Sequence, residues 1–234
     1  MTDAPSVLWV KKLDTWVDDT SWEWSEQNRA TIDLAWQEII KKKPKFFNGQ
    51  ILMARNWKTE ADCSSATYFK TDFASFLKWF DEGIPDTGII NGFALAALRS
   101  KDGAYICGVM GDHTANAGKV YFPGGTPDLS DIREGGFVDF LGSVTRELEE
   151  ETGLTPSDVE ISDDWIVVTQ SPYLVYLKPM QLNVDADEAI ELLIRNISAQ
   201  KDPELFGFKA IRSMADVNET VTPYLHTFFK KIFE

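Results

Sequence analysis

Apolar positions along the chain follow two spacings, and each predicts an element. Over "SEQNRATIDLAWQEIIKKK" they recur at helical intervals, placing Ile32, Trp36, Ile39 and Ile40 on one face, with Ser25 as cap and Pro44 as end. "DFASFLKWFDEG" predicts a second helix, capped by Asp72 and stopped by Gly83, with Phe73, Phe76, Leu77 and Phe80 turned inward. "VLWVKKL" and "GQILMARNW" predict short strands. Every tryptophan except Trp165 lies within residues 1–79, which suggests a unit with its own aromatic packing or an aromatic ligand platform.

The turn-rich "DEGIPDTG" marks a boundary near residue 85. Beyond it, "GIINGFALAALRS" and "AYICGVMG" predict a hairpin turning at Lys101-Asp102-Gly103. "KVYFPGG", "DWIVVTQ" and "YLVYLKPMQL" predict further strands. "DADEAIELLIRNISAQ" predicts a helix facing inward with Ile190, Leu193, Ile194 and Ile197, and "YLHTFFKKIF" a C-terminal one. Strands surrounded by helices predict a mixed α/β (α+β) layer structure. The expected organisation is an N-terminal Trp-rich α/β extension over 1–85 and a second domain over 86–234.

One predicted helix conflicts with helix electrostatics. "GSVTRELEEETGL" stops at Gly153 and carries Glu147, Glu149, Glu150 and Glu151 near its C-terminal end. The dipole disfavours carboxylates there by roughly 0.3–1 kcal/mol each, and like charges three and four apart repel. Leu141, Val144 and Leu148 are expected on the buried stripe, with Glu147, Glu150 and Glu151 beside it. A hard divalent cation would relieve the repulsion, because Mg²⁺ is held by a few carboxylates, water and substrate phosphate oxygens. Arg146, four residues before Glu150, is expected to orient that carboxylate. A solvated acidic face is the structural alternative. Upstream, "FPGG" ends a strand in paired glycines, which let a backbone approach a ligand closely.

Composition narrows the field. The 234 residues are 44% hydrophobic and 26% charged, an ordinary globular mixture. A net charge of −14 disfavours a nucleic-acid polymer as partner and fits a protein that recruits cations before an anionic substrate. Cys63 and Cys107 lack metal-ligand or disulfide spacing, and the N-terminus lacks a signal-peptide core; a cytoplasmic location is expected. No apolar run is long enough to span a bilayer, so no membrane association is expected.

Residues Arg146 to Leu154, "RELEEETGL", resemble the second half of the Nudix hydrolase signature, Arg-Glu-aliphatic-x-Glu-Glu-x-Gly-aliphatic, in full. The looser resemblance extends over about residues 86 to 234. The first half departs from the signature. Eight residues before Arg146 stands Val138 instead of glutamate, with Asp139 adjacent, and fourteen before it stands Ile132 instead of glycine. If Gly125 is the signature glycine, the intervening loop is about seven residues longer than the signature's own spacing; Asp139 is expected to cap the helix, with metal ligation as its alternative.

The resemblance implies a Nudix-type α/β/α sandwich with a mixed sheet, and Mg²⁺- or Mn²⁺-dependent cleavage of a diphosphate linkage in a nucleoside diphosphate joined to another moiety. It implies Glu147, Glu150 and Glu151 as catalytic metal ligands, joined by the Gly125 carbonyl, with Glu147 also acting on the attacking water. Asp185, Asp187, Glu188 and Glu191 are further candidates, or simply acids favoured at a helix N-terminus. The loop "PGGTPDLSDIREGG" resembles members acting on nucleotide sugars, and a homodimer is compatible with the sequence. The alternative function is a non-catalytic Nudix-fold nucleotide-binding or regulatory module, favoured by the altered first half and the N-terminal extension. His113 is expected in a surface loop, with contact to a substrate phosphate or base as the alternative; His226 is assigned a structural role and Cys107 to the core.

Overall fold

A computed structural model describes residues 4–234. The chain runs β1 (Ser6–Val10), β2 (Lys12–Asp18), α1 (Glu23–Gln27), α2 (Arg29–Lys42), β3 (Gln50–Glu60), β4 (Cys63–Asp72) and α3 (Phe73–Asp81). It continues through β5 (Ile89–Arg99), β6 (Tyr105–Met110), β7 (Val120–Tyr121), β8 (Gly124–Gly125), α4 (Phe140–Thr152) and β9 (Val159–Ile161). The last elements are β10 (Trp165–Gln170), β11 (Tyr173–Leu182), α5 (Ala186–Ser198), β12 (Leu205–Ile211) and α6 (Pro223–Phe233).

The strands form one mixed sheet whose main path is β1-β10-β11-β5-β3-β4-β2. The β11–β5 and β2–β4 pairs are parallel; β1–β10, β10–β11, β3–β5 and β3–β4 are antiparallel. Strand β5 is buried on both faces up to Arg99, so its two-residue period feeds two cores. Ala94, Ala96 and Leu98 meet Val144 and Leu148 of α4 and Leu193 of α5. Phe93, Leu95 and Ala97 meet Leu225, Phe228 and Phe229 of α6. Helices thus cover both faces, giving the α/β/α layering that the resemblance implied.

A smaller third core joins the early part of the chain to β5: Trp22, Met53, Phe69, Trp79 and Ile89. Both buried indoles find acceptors on Asp86, Trp22 Nε1 at Oδ2 (3.0 Å) and Trp79 Nε1 at the carbonyl (3.1 Å). Packing therefore explains these two, whereas Trp9 and Trp16 are about half exposed.

The local expectations survive unevenly. The 101–103 turn joins β5 to β6, and Asp72 caps α3 by accepting from the Ser75 N–H. "VLWVKKL" is divided at Lys11 between two strands on different parts of the sheet. Ser25 caps nothing: it lies buried inside α1 with its hydroxyl 2.8 Å from that of Ser75, and the helix breaks at Asn28. In α3 the buried residues are Ala74, Ser75 and Trp79; the face expected inside, Phe73, Phe76, Leu77 and Phe80, borders a cavity instead. Ile194 of α5 is 44% exposed. Among the described residues, no helix is long and apolar enough to cross a membrane.

Candidate active site

Helix α4 carries the acidic motif, and its two ends are fixed as expected. Asp139 accepts from the Gly142 N–H at 2.9 Å and is held by Arg133 Nε at 2.9 Å. Gly153 closes the helix in the left-handed conformation, φ 71°. The helix is rotated relative to the expected stripe. Phe140, Val144 and Leu148 are buried while Leu141 is 44% exposed. This rotation brings Glu151, three residues beyond Leu148, into line with the buried stripe, and only 6% of it remains exposed.

Opposite Glu151 stands the glycine pair. Strand β8 pairs with β5 at Ala94 and Leu95, and Gly124 adopts φ 138°. A Cβ at Gly124 would lie 2.3 Å from the Ala94 carbonyl oxygen, so only glycine fits. The Gly124 N–H donates to Glu151 Oε2 at 3.0 Å. Glu147 Oε2 lies 3.9 Å from where a Gly125 Cβ would stand. Glu147 and Glu151 are thus brought against the glycine pair. Glu150 is not: its side chain is 61% exposed and is within 3.4 Å of Arg146.

Arg146 organises the second side of the site. Its guanidinium donates to Glu147 Oε1 at 2.6 Å and to Asp131 Oδ1 at 3.3 Å, a stronger engagement with Glu147 than with the expected partner Glu150. Asp131 is 2% exposed and also accepts from the Ser143 hydroxyl at 3.1 Å and the Asp128 N–H at 3.0 Å. The long loop therefore supplies, fifteen residues before Arg146, an acid for that arginine. Val138, at the position where the signature has glutamate, is fully buried in the core.

The electrostatics leave this acidic pair only partly compensated. Burial pushes the Glu151 carboxyl well above the usual range, and Glu147, Glu204 and Glu150 push it further against the single Gly124 donor. Burial also raises Glu147; Arg146 opposes the shift, while Glu150 and Glu204 add to it. Burial is likewise the main cause of the elevated pKa of the Tyr121 phenol, which feels Glu151, Glu204 and Glu147 as well.

Among the described residues, no three His, Cys, Asp or Glu side chains stand together as a preformed metal cluster. Two carboxylates facing a backbone turn nevertheless suit Mg²⁺ or Mn²⁺, since Mg²⁺ keeps several waters and takes one or two carboxylates plus substrate phosphate oxygens. The oxygen-only donors suit a hard ion.

Asp131, Tyr121 and Glu204 were missed from the sequence. "DLSD" carries a cue for the first, because Asp128 and Asp131 form a capping box. Glu204, just before β12, has no local signal. Asp185, Asp187, Glu188 and Glu191 are exposed around the start of α5, with Asp187 Oδ1 3.8 Å from Arg212. His113 is exposed in its loop, and His226 Nε2 lies 2.9 Å from the Asn218 carbonyl. Cys107 is wholly buried and burial raises its thiol pKa.

The motif helix, the glycine pair and the layers agree with the arrangement that the sequence resemblance implies. The fold is a mixed sheet with helices on both faces. Among solved structures it is similar to a MutT protein from Methanosarcina mazei Go1, with a TM-score of 0.37 and 20% identity, covering 61% of this chain and 91% of that one. It is also similar to a Nudix hydrolase from M. Smegmatis, RenU, with a TM-score of 0.38 and 10% identity, covering 60% and 81%. No protein-family model and no curated protein matches the chain.

Arg146→Ala is expected to leave buried Asp131 without its cation and Glu147 free to turn. Breaking a buried pair costs about 3–5 kcal/mol; with the guanidinium 36% exposed, about 2–3 kcal/mol is expected. Urea melting checks the value. Asp131→Asn in the Arg146→Ala background should recover part of the loss, because it removes the stranded charge.

Proposed function

We propose that the chain is a Mg²⁺- or Mn²⁺-dependent Nudix-type hydrolase that cleaves the diphosphate linkage of a nucleoside diphosphate joined to a further group. The observation carrying this reading is the motif-helix pair Glu147 and Glu151, pressed against Gly124–Gly125 with more negative charge than the surroundings neutralise.

When bound, the cation neutralises the diphosphate and acidifies a bound water. Glu147 has one oxygen tied to Arg146 and the other directed towards the glycine pair. That second oxygen is placed to ligate or to accept the proton of the attacking water, and an elevated carboxyl pKa brings it closer to the range useful for a general base. Glu151, oriented by the Gly124 N–H, is the second ligand. Glu150 is exposed and can reach the site only by turning from Arg146; the Gly125 carbonyl completes the proposed set. Arg146 positions Glu147. The small substrate fits the acidic chain better than a nucleic-acid polymer does.

The test is to incubate the protein with a panel of nucleoside diphosphate compounds, nucleotide sugars included, in Mg²⁺ or Mn²⁺ and to identify the phosphate-containing products. Cleavage into two phosphorylated products, abolished by Glu147→Gln, is expected. Tight binding without cleavage of any compound would favour the non-catalytic module instead.

A further inference from the structure

A cavity of about 290 Å³ borders the glycine pair on the side of the sheet away from α4. It lies at the small end of ligand pockets, roughly 300–1,000 Å³, and so suits one part of a substrate. Its walls come from two regions of the chain. Phe76 and Phe80 belong to α3; Phe93, Tyr173 and Tyr224 belong to β5, β11 and α6. Tyr173 sits 6.2 Å from Phe80 and 5.1 Å from Tyr224, measured between ring centroids. The apolar face of α3 is thus retained, although the third core takes up only its Phe76 edge: Phe80 is 42% exposed.

The polar content of the cavity discriminates between occupants. No charged side chain lines it among the described residues, so a phosphate or carboxylate does not belong there. Asn91 does line it and is 5% exposed. The Asn91 Oδ1 atom accepts from the Thr126 hydroxyl at 3.3 Å, and no partner for its amide nitrogen occurs among the described residues. Exchanging the two amide atoms would still leave one of them unpaired. The Asn116 amide is engaged with the Tyr121 hydroxyl at 3.3 Å. An alkyl chain would bury the Asn91 amide without a partner, which is costly. The Thr222 hydroxyl also lines the cavity and is buried without a partner among the described residues, so the free polar groups are single ones set among aromatic faces, an arrangement that suits a sugar's ring of hydroxyls poorly. A flat ring with a polar edge satisfies both the aromatic faces and the amide.

We propose that this cavity is the subsite for a planar, uncharged heteroaromatic ring of the substrate, with Asn91 contacting the ring edge and α3 forming the outer wall. The assignment rests on the diphosphate reading above for its place in a reaction. Gly124 and Gly125 line the cavity and also contact Glu151 and Glu147, so a ring seated there leaves an attached diphosphate beside the carboxylates.

The test uses the full chain and two readouts. Calorimetry with adenosine, guanosine, cytidine and uridine monophosphates, in the absence of metal, is expected to show binding of at least one. Phe80→Ala and Asn91→Leu should each weaken that binding about tenfold, whereas Leu34→Ala on the far-exposed face of α2 should not change it. In turnover of a ring-bearing diphosphate, both variants should raise KM far more than they lower kcat. If no diphosphate is cleaved, the calorimetric result still decides the subsite. Lack of binding by all four nucleotides, unchanged binding in both variants, or preference for an alkyl diphosphate over every ring-bearing one would overturn it. Phe80→Ala guards against misfolding of the more buried Asn91 variant.

Discussion

Glu151→Gln is expected to abolish most of the activity while making the metal-free protein more stable. The amide keeps the size of the side chain and an oxygen for the Gly124 N–H, so the 3.0 Å contact survives. What disappears is a charge that is 94% buried, by residue exposure, and repelled by Glu147. Relief of about 1–3 kcal/mol is expected, which raises Tm by roughly 2–4 °C per kcal/mol. Turnover should fall by about a hundredfold or more, because a charge acting on the reacting phosphate is lost. Melting in EDTA beside turnover in Mg²⁺ checks both halves. The pH dependence supplies an independent sign. Glu151 holds its proton more firmly when folded than when unfolded, so the folded state binds more protons between the ordinary glutamate pKa and the raised one. Stability must therefore fall as pH rises through that window, and acidification from neutral towards about pH 5 should stabilise the metal-free parent more than the variant. A variant that is less stable and fully active would remove the proposed function's central pair.

Deleting residues 1–85 is expected to leave a chain without a cooperative melting transition and without activity. The deletion removes β3 from the flank of β5 and the whole third core except Ile89. It also reaches the site. The Val138 N–H donates to the Thr15 carbonyl at 3.0 Å, immediately before α4, and the Leu52 N–H donates to the Pro127 carbonyl at 2.8 Å within the long loop. Tyr68 packs edge-on to Phe140 at 5.5 Å. Circular dichroism melting and turnover of the shortened chain check the expectation. An active fragment with the parent Tm would establish residues 86–234 as an autonomous domain.

What was legible in the sequence was what local chemistry dictates. Asp139 and Gly153 bracket α4 because a cap and a left-handed stop need only neighbouring atoms. Paired glycines announced a close backbone approach, and Gly124 has one, to Ala94. Helix rotation was not legible. Leu141 and Phe140 are both apolar, and only packing against Tyr68 of β4 and Tyr176 of β11 selects Phe140, which then carries Glu151 inward. Asp131 and Glu204 meet the motif through tertiary folding, so spacing along the chain contained no instruction for either. Strand β4 was overlooked because "CSSATYFKTD" is rich in small and polar residues; pairing with β2 and β3 makes it a strand. The α3 face misled in an instructive manner: hydrophobic periodicity marks an apolar surface without saying whether protein or ligand covers it.

Lys11 separates β1 from β2, yet those strands end opposite flanks of the sheet path. The sheet must curl until its two margins are one residue apart. Lys11 fastens this closure, its N–H donating to the Asp62 carbonyl at 2.7 Å and its Nζ lying 2.5 Å from Asp164 Oδ1. Strand β1 reaches its hydrogen-bonding partners only in β10, where Ser6 faces Thr169. During synthesis, β1 is made long before β10 and therefore waits for it before it can pair. Such long-range pairing slows folding and prolongs exposure of an unpaired edge containing Leu8 and Trp9. Refolding should be slower than helix content alone suggests, and nascent chains halted before residue 165 should be the stage at which a chaperone is most needed.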